Sequence, residues 1–208
     1  MPDRRRVGGI LTIYMKEYPQ SLRSIPTPPA VLFYKGELGL LQRRLASVVG
    51  SRRAPASALR RAARIGRLME KAGLVGVSGL AKGIDASFHR NCSPSIGVIG
   101  SGLDQAYPRD NLDLYEKLSR EGLILSEYLP GMPPLPFHFP RRNRIIAALG
   151  KWTAVVWGRP GSGAFITADF ALDEGKDLYV PEELLDAGIL PGYPLALLEK
   201  HLDTGEAL

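Results

Sequence analysis

Short apolar runs, each ending in small residues and each followed by a helical stretch, recur from residue 45 to 180 and leave few folds open. Leu45-Ala46-Ser47-Val48-Val49 runs into Gly50-Ser51-Arg52-Arg53, and Leu74-Val75-Gly76-Val77 into Ser78-Gly79. Ser95-Ile96-Gly97-Val98-Ile99 runs into Gly100-Ser101-Gly102, and Thr153-Ala154-Val155-Val156-Trp157 into a loop holding Gly161-Ser162-Gly163. Leu123-Ile124-Leu125-Ser126 and Leu178-Tyr179-Val180 complete the set. These runs are continuously apolar rather than alternating, the pattern of parallel strands covered on both faces. Helical periodicity fills the gaps: about 55–72, with Leu59, Ala62, Ala63, Leu68 and Met69; a short piece to about Asn91; from Asp110 or Asn111 to about Arg120; and about 164–174. The alternation predicts an α/β chain with an extended Rossmann-like fold, a mostly parallel sheet with helices on both faces.

Residues 1–44 lack this pattern and read as an N-terminal extension; 45–208 reads as the Rossmann-like domain, with an acidic C-terminal end. Pro19, Pro26, Pro28 and Pro29 hold 18–30 extended, as a wrapping segment. Val31-Leu32-Phe33-Tyr34-Lys35-Gly36 has the look of a short strand and turn. Leu184 to Leu202 suits a terminal helix that covers a sheet edge or a dimer contact. Arg4-Arg5-Arg6 is read as a solvated terminus.

The net charge of +6 is unevenly spread: residues 1–150 carry 23 Lys and Arg against 11 Asp and Glu, and residues 151–208 carry 4 against 10. A basic body favours an anionic partner. The single cysteine, Cys92, excludes an internal disulfide and a Cys-rich metal site. No apolar run approaches the roughly 18 residues of a membrane span, and Met1 to Val7 leads into no apolar core. A cytoplasmic protein without membrane contact is expected. His89, His138 and His201 have no metal-ligand spacing. Gly-x-Gly-x-x-Gly, Gly-Lys-Ser/Thr and Gly-x-Ser-x-Gly are all missing, so no metal and no cofactor are expected.

In such a fold ligands bind beyond the carboxyl ends of the strands, where strand order reverses. Four small-residue loops fall on that edge: Gly50 and Ser51; Ser78 and Gly79; Gly100 and Ser101; Gly161, Ser162 and Gly163. One glycine after a strand is often only a tight turn, but four converging loops suggest a phosphate-binding rim. Arg52 adds a long cation to the first. The stretch Pro136-Phe137-His138-Phe139-Pro140-Arg141-Arg142-Asn143-Arg144-Ile145-Ile146-Ala147 adds rings that stack on bases and guanidinium groups that pair with phosphate. A charge run is usually just a solvated face, so the stretch alone leaves both readings open. With a helix from about 141, Ile145, Ile146 and Leu149 share one face, and Asn143, Arg144 and Ala147 lie on the other. Arg142 then falls on the apolar side: either the helix begins after it, or its side chain reaches under the helix start into the pocket. Asp85 and Glu127 are placed where catalytic carboxylates could sit. The structural alternative has Asp85 tie its loop or cap a helix and bond His89 four residues on.

With these motifs in place, the chain resembles the DNA-processing family called DprA or Smf. The resemblance is carried by Val48-Val49-Gly50-Ser51-Arg52, Ser78-Gly79-Leu80-Ala81-Lys82-Gly83-Ile84-Asp85, His89-Arg90, Gly102-Leu103-Asp104, Tyr107-Pro108-Arg109-Asp110-Asn111, Leu125-Ser126-Glu127-Tyr128, Pro130-Gly131, Phe139 through Ala147, and Ser162-Gly163 with Ile166-Thr167-Ala168. It covers roughly residues 18–180. It implies a non-enzymatic homodimer that binds single-stranded DNA independently of sequence and loads the RecA recombinase on incoming strands in natural transformation. By position it places Gly50, Ser51, Arg52, Phe139, Arg142, Asn143 and Arg144 at the DNA, with Arg52 and Arg144 on phosphates and Phe139 on a base. The alternative is a nucleotide-binding enzyme similar to lysine-decarboxylase-like phosphoribohydrolases. Their Pro-Gly-Gly-x-Gly-Thr and following Glu are replaced here by Pro160-Gly161-Ser162-Gly163-Ala164-Phe165. The chain also departs from the DprA pattern: it lacks the usual N-terminal helical and C-terminal winged-helix domains, and Gly192-Tyr193-Pro194-Leu195 stands where Gly-x-Asn-x-Leu is expected.

Overall fold

The computed structural model describes residues 8–205; Arg4-Arg5-Arg6 lies outside them. The parallel strands are β3 (Leu45–Gly50), β4 (Val75–Ser78), β5 (Ser95–Ile99), β6 (Leu123–Ser126), β7 (Trp152–Trp157) and β8 (Asp177–Val180). Their alternate residues feed two different cores: in β3, Leu45 and Val49 pack to one side and Ala46 and Val48 to the other. That is why the runs carry no polar alternation. On one face lie α2 (Ala56–Lys71), α3 (Ile84–Arg90), α4 (Leu112–Glu121) and α8 (Leu195–Thr204); on the other lie α1 (Gln20–Arg23), α5 (His138–Leu149) and α6 (Gly163–Asp173). Helix α2 shows the logic: Ala58, Ala62, Ile65 and Met69 recur at helical spacing and are its buried residues.

The sheet has nine strands in the order β1-β2-β6-β5-β4-β3-β7-β8-β9. From residue 9 onward the N-terminal segment joins it: β1 (Gly9–Thr12) pairs antiparallel with β2 (Val31–Gly36), and β2 pairs antiparallel with β6. β1 is a half-exposed edge strand with no apolar run to announce it. The expected continuous helix over 184–202 is instead α7 (Glu182–Asp186), the two-residue β9 (Tyr193–Pro194) beside β8, and α8. Pro191, Gly192 at φ 134° and Pro194 interrupt it. Asn111 does not cap α4 through its side chain; its amide donates to Leu80 O at 3.0 Å. None of the helices of the described residues is long and apolar enough to cross a membrane.

Helix α5 begins at His138, three residues before the position expected from phase, and is buried nearly all round, from Arg142 to Leu149. The sheet takes one side. Helices α1 and α6 take much of the rest, so Asn143, Arg144 and Ala147 do not form a solvent face. The wrapping segment is fastened there. Tyr18 Oη donates to Pro29 O at 2.7 Å, and burial raises the phenol to about 12. Arg144, 6% exposed, donates to Thr27 O at 2.9 Å, to Arg141 O at 2.9 Å and to Glu127 Oε1 at 2.6 Å. Its guanidinium is thus the clip between α5, the wrap and the loop after β6. Removing it would leave Glu127 only the exposed Arg141 at 3.5 Å and strip Thr27 O of its donor. Arg144→Ala is expected to cost about 3 kcal/mol in urea unfolding; an unchanged unfolding curve would show that this arginine holds nothing together.

Candidate nucleic-acid interface

The chain winds β3, β4, β5, β6 in one direction, then returns over the sheet through α5 to place β7 on the opposite side of β3. The reversal leaves a crevice beyond the carboxyl ends of β3 and β7. A cavity of about 660 Å³ occupies it. Gly50, Ser51 and Arg52 line it from the β3 side, Gly161, Ser162 and Gly163 from the β7 side, and Phe139, Arg142 and Asn143 from α5. The local fold dictates this meeting. Gly83, at φ 79°, lets the start of α3 pass against the Ser51 carbonyl, which a Cβ would strike.

The β7 loop delivers the start of α6. Ser162 stands at its N-cap position, but its side chain caps nothing, and the buried Oγ has no hydrogen-bond partner. The first N–H groups of a helix have no carbonyl one turn back, so an anion here would complete the helix start. Asn143 Nδ2 fixes the loop by donating to Gly163 O at 2.9 Å, and Asn143 Oδ1 accepts from Arg142 Nε at 3.2 Å. The opposite loop contributes less backbone than its glycine suggests. The Ser51 N–H donates to Trp157 O at 2.8 Å, and the Arg53 N–H donates to Ser51 Oγ at 3.1 Å.

Arg142 takes the second of its two sequence alternatives. It is 5% exposed, reaches beneath α5, and donates to Gly79 O at 3.1 Å and to the Val98 carbonyl. Beside it lies Asp85, 6% exposed, whose Oδ2 accepts the Ala81 N–H at 3.3 Å while Oδ1 has no partner. Asp85 therefore ties its loop. A Cβ on Gly79 would lie 2.6 Å from Asp85 Oδ2 and 2.8 Å from an Arg142 nitrogen, so only glycine fits between them. Burial raises the Asp85 carboxyl to about 6, with Arg142 the strongest opposing charge. Burial lowers Arg142 to about 10, so it stays charged at neutral pH. The expected Asp85–His89 bond is not formed. His89 Nδ1 instead lies 2.9 Å from Ser95 Oγ, and burial drives the imidazole down to about 3, so it is neutral.

At the mouth, the Arg52 guanidinium lies 4.9 Å from the centre of the Phe139 ring. Tyr107 also packs on Phe139, the ring centres 5.7 Å apart and the planes tilted by 42°. Behind it, His138 stacks on Tyr128 at 3.8 Å and places Nδ1 3.0 Å from Gly100 O. Gly79 and Gly100 line a smaller adjoining cavity rather than the main one. Ser78 and Ser101 lie beneath the rim, both buried; Ser101 Oγ donates to Gln105 O at 2.7 Å. Arg144 lines neither cavity, because it is committed to Glu127 and the wrap. Tyr107 and Arg53 line both cavities without having stood out in the sequence. Only membership of the Tyr107–Asn111 motif pointed toward Tyr107. Among the described residues no three His, Cys, Asp or Glu side chains are placed to hold a metal ion.

The profile of the DNA recombination-mediator protein A family matches residues 9–194. The chain is 43% identical over 174 residues to the DNA processing protein DprA of Streptococcus pneumoniae, a match covering 81% of this chain and 61% of that protein. It thus spans about three fifths of that relative. The X-ray structure of the pneumococcal DprA superposes with a TM-score of 0.79 at 38% identity, over 98% of this chain and 70% of that one. The structure of DNA processing protein A from Helicobacter pylori, reported for its single-stranded DNA binding mode, superposes with a TM-score of 0.85 at 27% identity, over 95% of this chain and 96% of that one.

Asp85 supplies a test of the cavity's electrostatics. Folded, it holds its proton up to about 6, against an ordinary value of 3.8. The unfolded chain therefore binds fewer protons in that window, so stability falls as pH rises through it and stays lower above. Asp85→Asn keeps the shape without the charge. It is expected to raise stability by about 2–3 kcal/mol at pH 7.5, a gain that shrinks as the pH is lowered toward 4. A loss of stability at pH 7.5 that vanishes as the pH is lowered toward 4 would show that the ionised carboxylate is needed.

Proposed function

The chain belongs to the DNA recombination-mediator protein A family, and on that footing we propose that it binds single-stranded DNA, without regard to sequence, in the cavity between β3 and β7. The observation that carries this reading is the Arg52 guanidinium set 4.9 Å from the Phe139 ring at the cavity mouth. A cation for a phosphate and a face for a base stand side by side there, the two elements of sequence-tolerant single-strand binding. The ligand named for the Helicobacter pylori protein, single-stranded DNA, is the one this chemistry suits.

Each group then has a part. Arg52 pairs with one phosphate. The open start of α6, with the unpartnered Ser162 hydroxyl, receives another. Phe139 stacks on a base. Gly50 and Ser51 give the strand close approach, while Arg142 and Asn143 hold the floor. Arg144 acts from outside the cavity by anchoring α5, not by touching phosphate. We read the protein as a binder and not an enzyme. Of the two carboxylates placed near strand ends, Glu127 is occupied by Arg144, and Asp85 stands alone beside Arg142. In the cell this activity would protect incoming strands and help load RecA during natural transformation, the protein acting as a cytoplasmic homodimer.

Titration of labelled oligo-dT at two salt concentrations, with duplex DNA of equal length and AMP as competitors, tests the reading. Affinity is expected to fall steeply with salt. Arg52→Ala should weaken binding more than Arg60→Ala, an exposed arginine on α2 outside the cavity. Phe139→Ala should lose about 1–3 kcal/mol, the usual worth of one stacked base. Competition by AMP with no oligonucleotide binding would instead favour a mononucleotide enzyme.

A further inference from the structure

In the motif Ser78-Gly79-Leu80-Ala81-Lys82-Gly83 the strain is concentrated at its middle residue, Leu80. Leu80 has φ 65° and is the one non-glycine residue with positive φ among the described residues. A branched side chain in that region is disfavoured, and such strain persists only where the surroundings enforce it. Two polar contacts do so here: Asn111 Nδ2 donates to Leu80 O at 3.0 Å, buried, and the Ala81 N–H donates to Asp85 Oδ2 at 3.3 Å, partly buried. The effect is to hold Leu80, Ala81 and Lys82 as one wall of the smaller cavity.

That cavity has a volume of about 260 Å³, below the ~300–1,000 Å³ of pockets that enclose a whole ligand. Its size suits one base. Leu80, Ile99 and Pro108 give it apolar walls, Tyr107 an aromatic one, and Arg53 and Lys82 stand at its lip. It shares Arg52, Arg53, Ala81, Tyr107, Phe139 and Arg142 with the main cavity, so the two adjoin. Lys82 is free to exchange partners. Its ammonium contacts Asp110 at 2.5 Å, but the side chains are 52% and 64% exposed, and an exposed pair of this kind adds little stability.

We propose that this smaller cavity is a second nucleotide subsite. It receives the base next along the strand against Tyr107 and the adjoining phosphate on Lys82. The inference rests on the single-strand reading of the main cavity. It adds that the site takes at least two consecutive nucleotides, and that the 79–82 loop is strained in order to hold the second.

The test measures oligo-dT affinity over a salt series for the whole chain, four variants and two controls. Tyr107→Ala is expected to weaken binding about tenfold, as for loss of one stacked base. Lys82→Ala should also weaken it and reduce the slope of log affinity against log salt by about 0.7, one single-strand phosphate contact; Lys82→Arg should restore it. Asp110→Ala should bind as well as the parent or better, whereas a merely structural Lys82–Asp110 pair would make it mimic Lys82→Ala. Tyr14→Ala and Lys16→Ala, at exposed positions lining neither cavity, serve as controls. If the parent binds oligo-dT and Arg52→Ala weakens it, but Tyr107→Ala and Lys82→Ala match the controls, the second subsite is overturned and the first stands. If the parent does not bind at all, the single-strand reading itself fails.

Discussion

The buried guanidinium of Arg142 is the interaction on which the site depends. From α5 it reaches the loop after β4 at Gly79 O, the end of β5 at Val98 O and, through Asn143, the start of α6 at Gly163 O. Two strand ends and two helices are thereby fixed around one cation. Burying a charge is costly unless its donors are matched. Here carbonyl oxygens take the donors and Asp85 supplies a neighbouring negative charge. With its Nε and Nη1 donors engaged below, the guanidinium sets the shape of the cavity floor.

Three arginines of similar sequence context end in three different states, and burial separates them. Arg52 is exposed at the mouth and lies over an aromatic ring. Arg142 is buried beneath the cavity, and Arg144 is buried on the far side of the same helix against Glu127. A flat, always-charged donor fork serves all of these tasks. Only a guanidinium with unfilled donors facing solvent can meet a phosphate, so the arginine count of a motif overstates its ligand contacts. The same holds for serines: Ser162 keeps an unpartnered hydroxyl at the rim, while Ser101 spends its own on the loop that carries it.

Much of this was legible from residue order. Continuous apolar runs specify buried parallel strands, and small residues after them specify where a ligand edge lies, so the six strands of the Rossmann-like core and the convergence of the β3 and β7 loops could be read directly. What escaped was set by contacts between distant segments. The phase of α5 separates an apolar from a polar face, but residues 18–30 and α6 cover that second face, and no local pattern reveals a cover more than a hundred residues away. His89 is spaced to meet Asp85, yet Ser95 lies closer once β5 is in place. Strand β1 exists because β2 offers it an edge, not because its own four residues demand it. Tyr107 gains its place from packing on Phe139, a relation between loops after different strands.

The central claim is that a strand lies in the switch-point crevice, with phosphate at Arg52 and the start of α6 and a base on Phe139. A crystal structure of the chain with a six-nucleotide oligo-dT tests it most directly. The expected result is a phosphate within hydrogen-bond reach of the Gly163 region and of the Arg52 guanidinium, and a thymine ring stacked on Phe139. DNA lying instead along the arginines of α2, with the crevice between β3 and β7 empty, would contradict it.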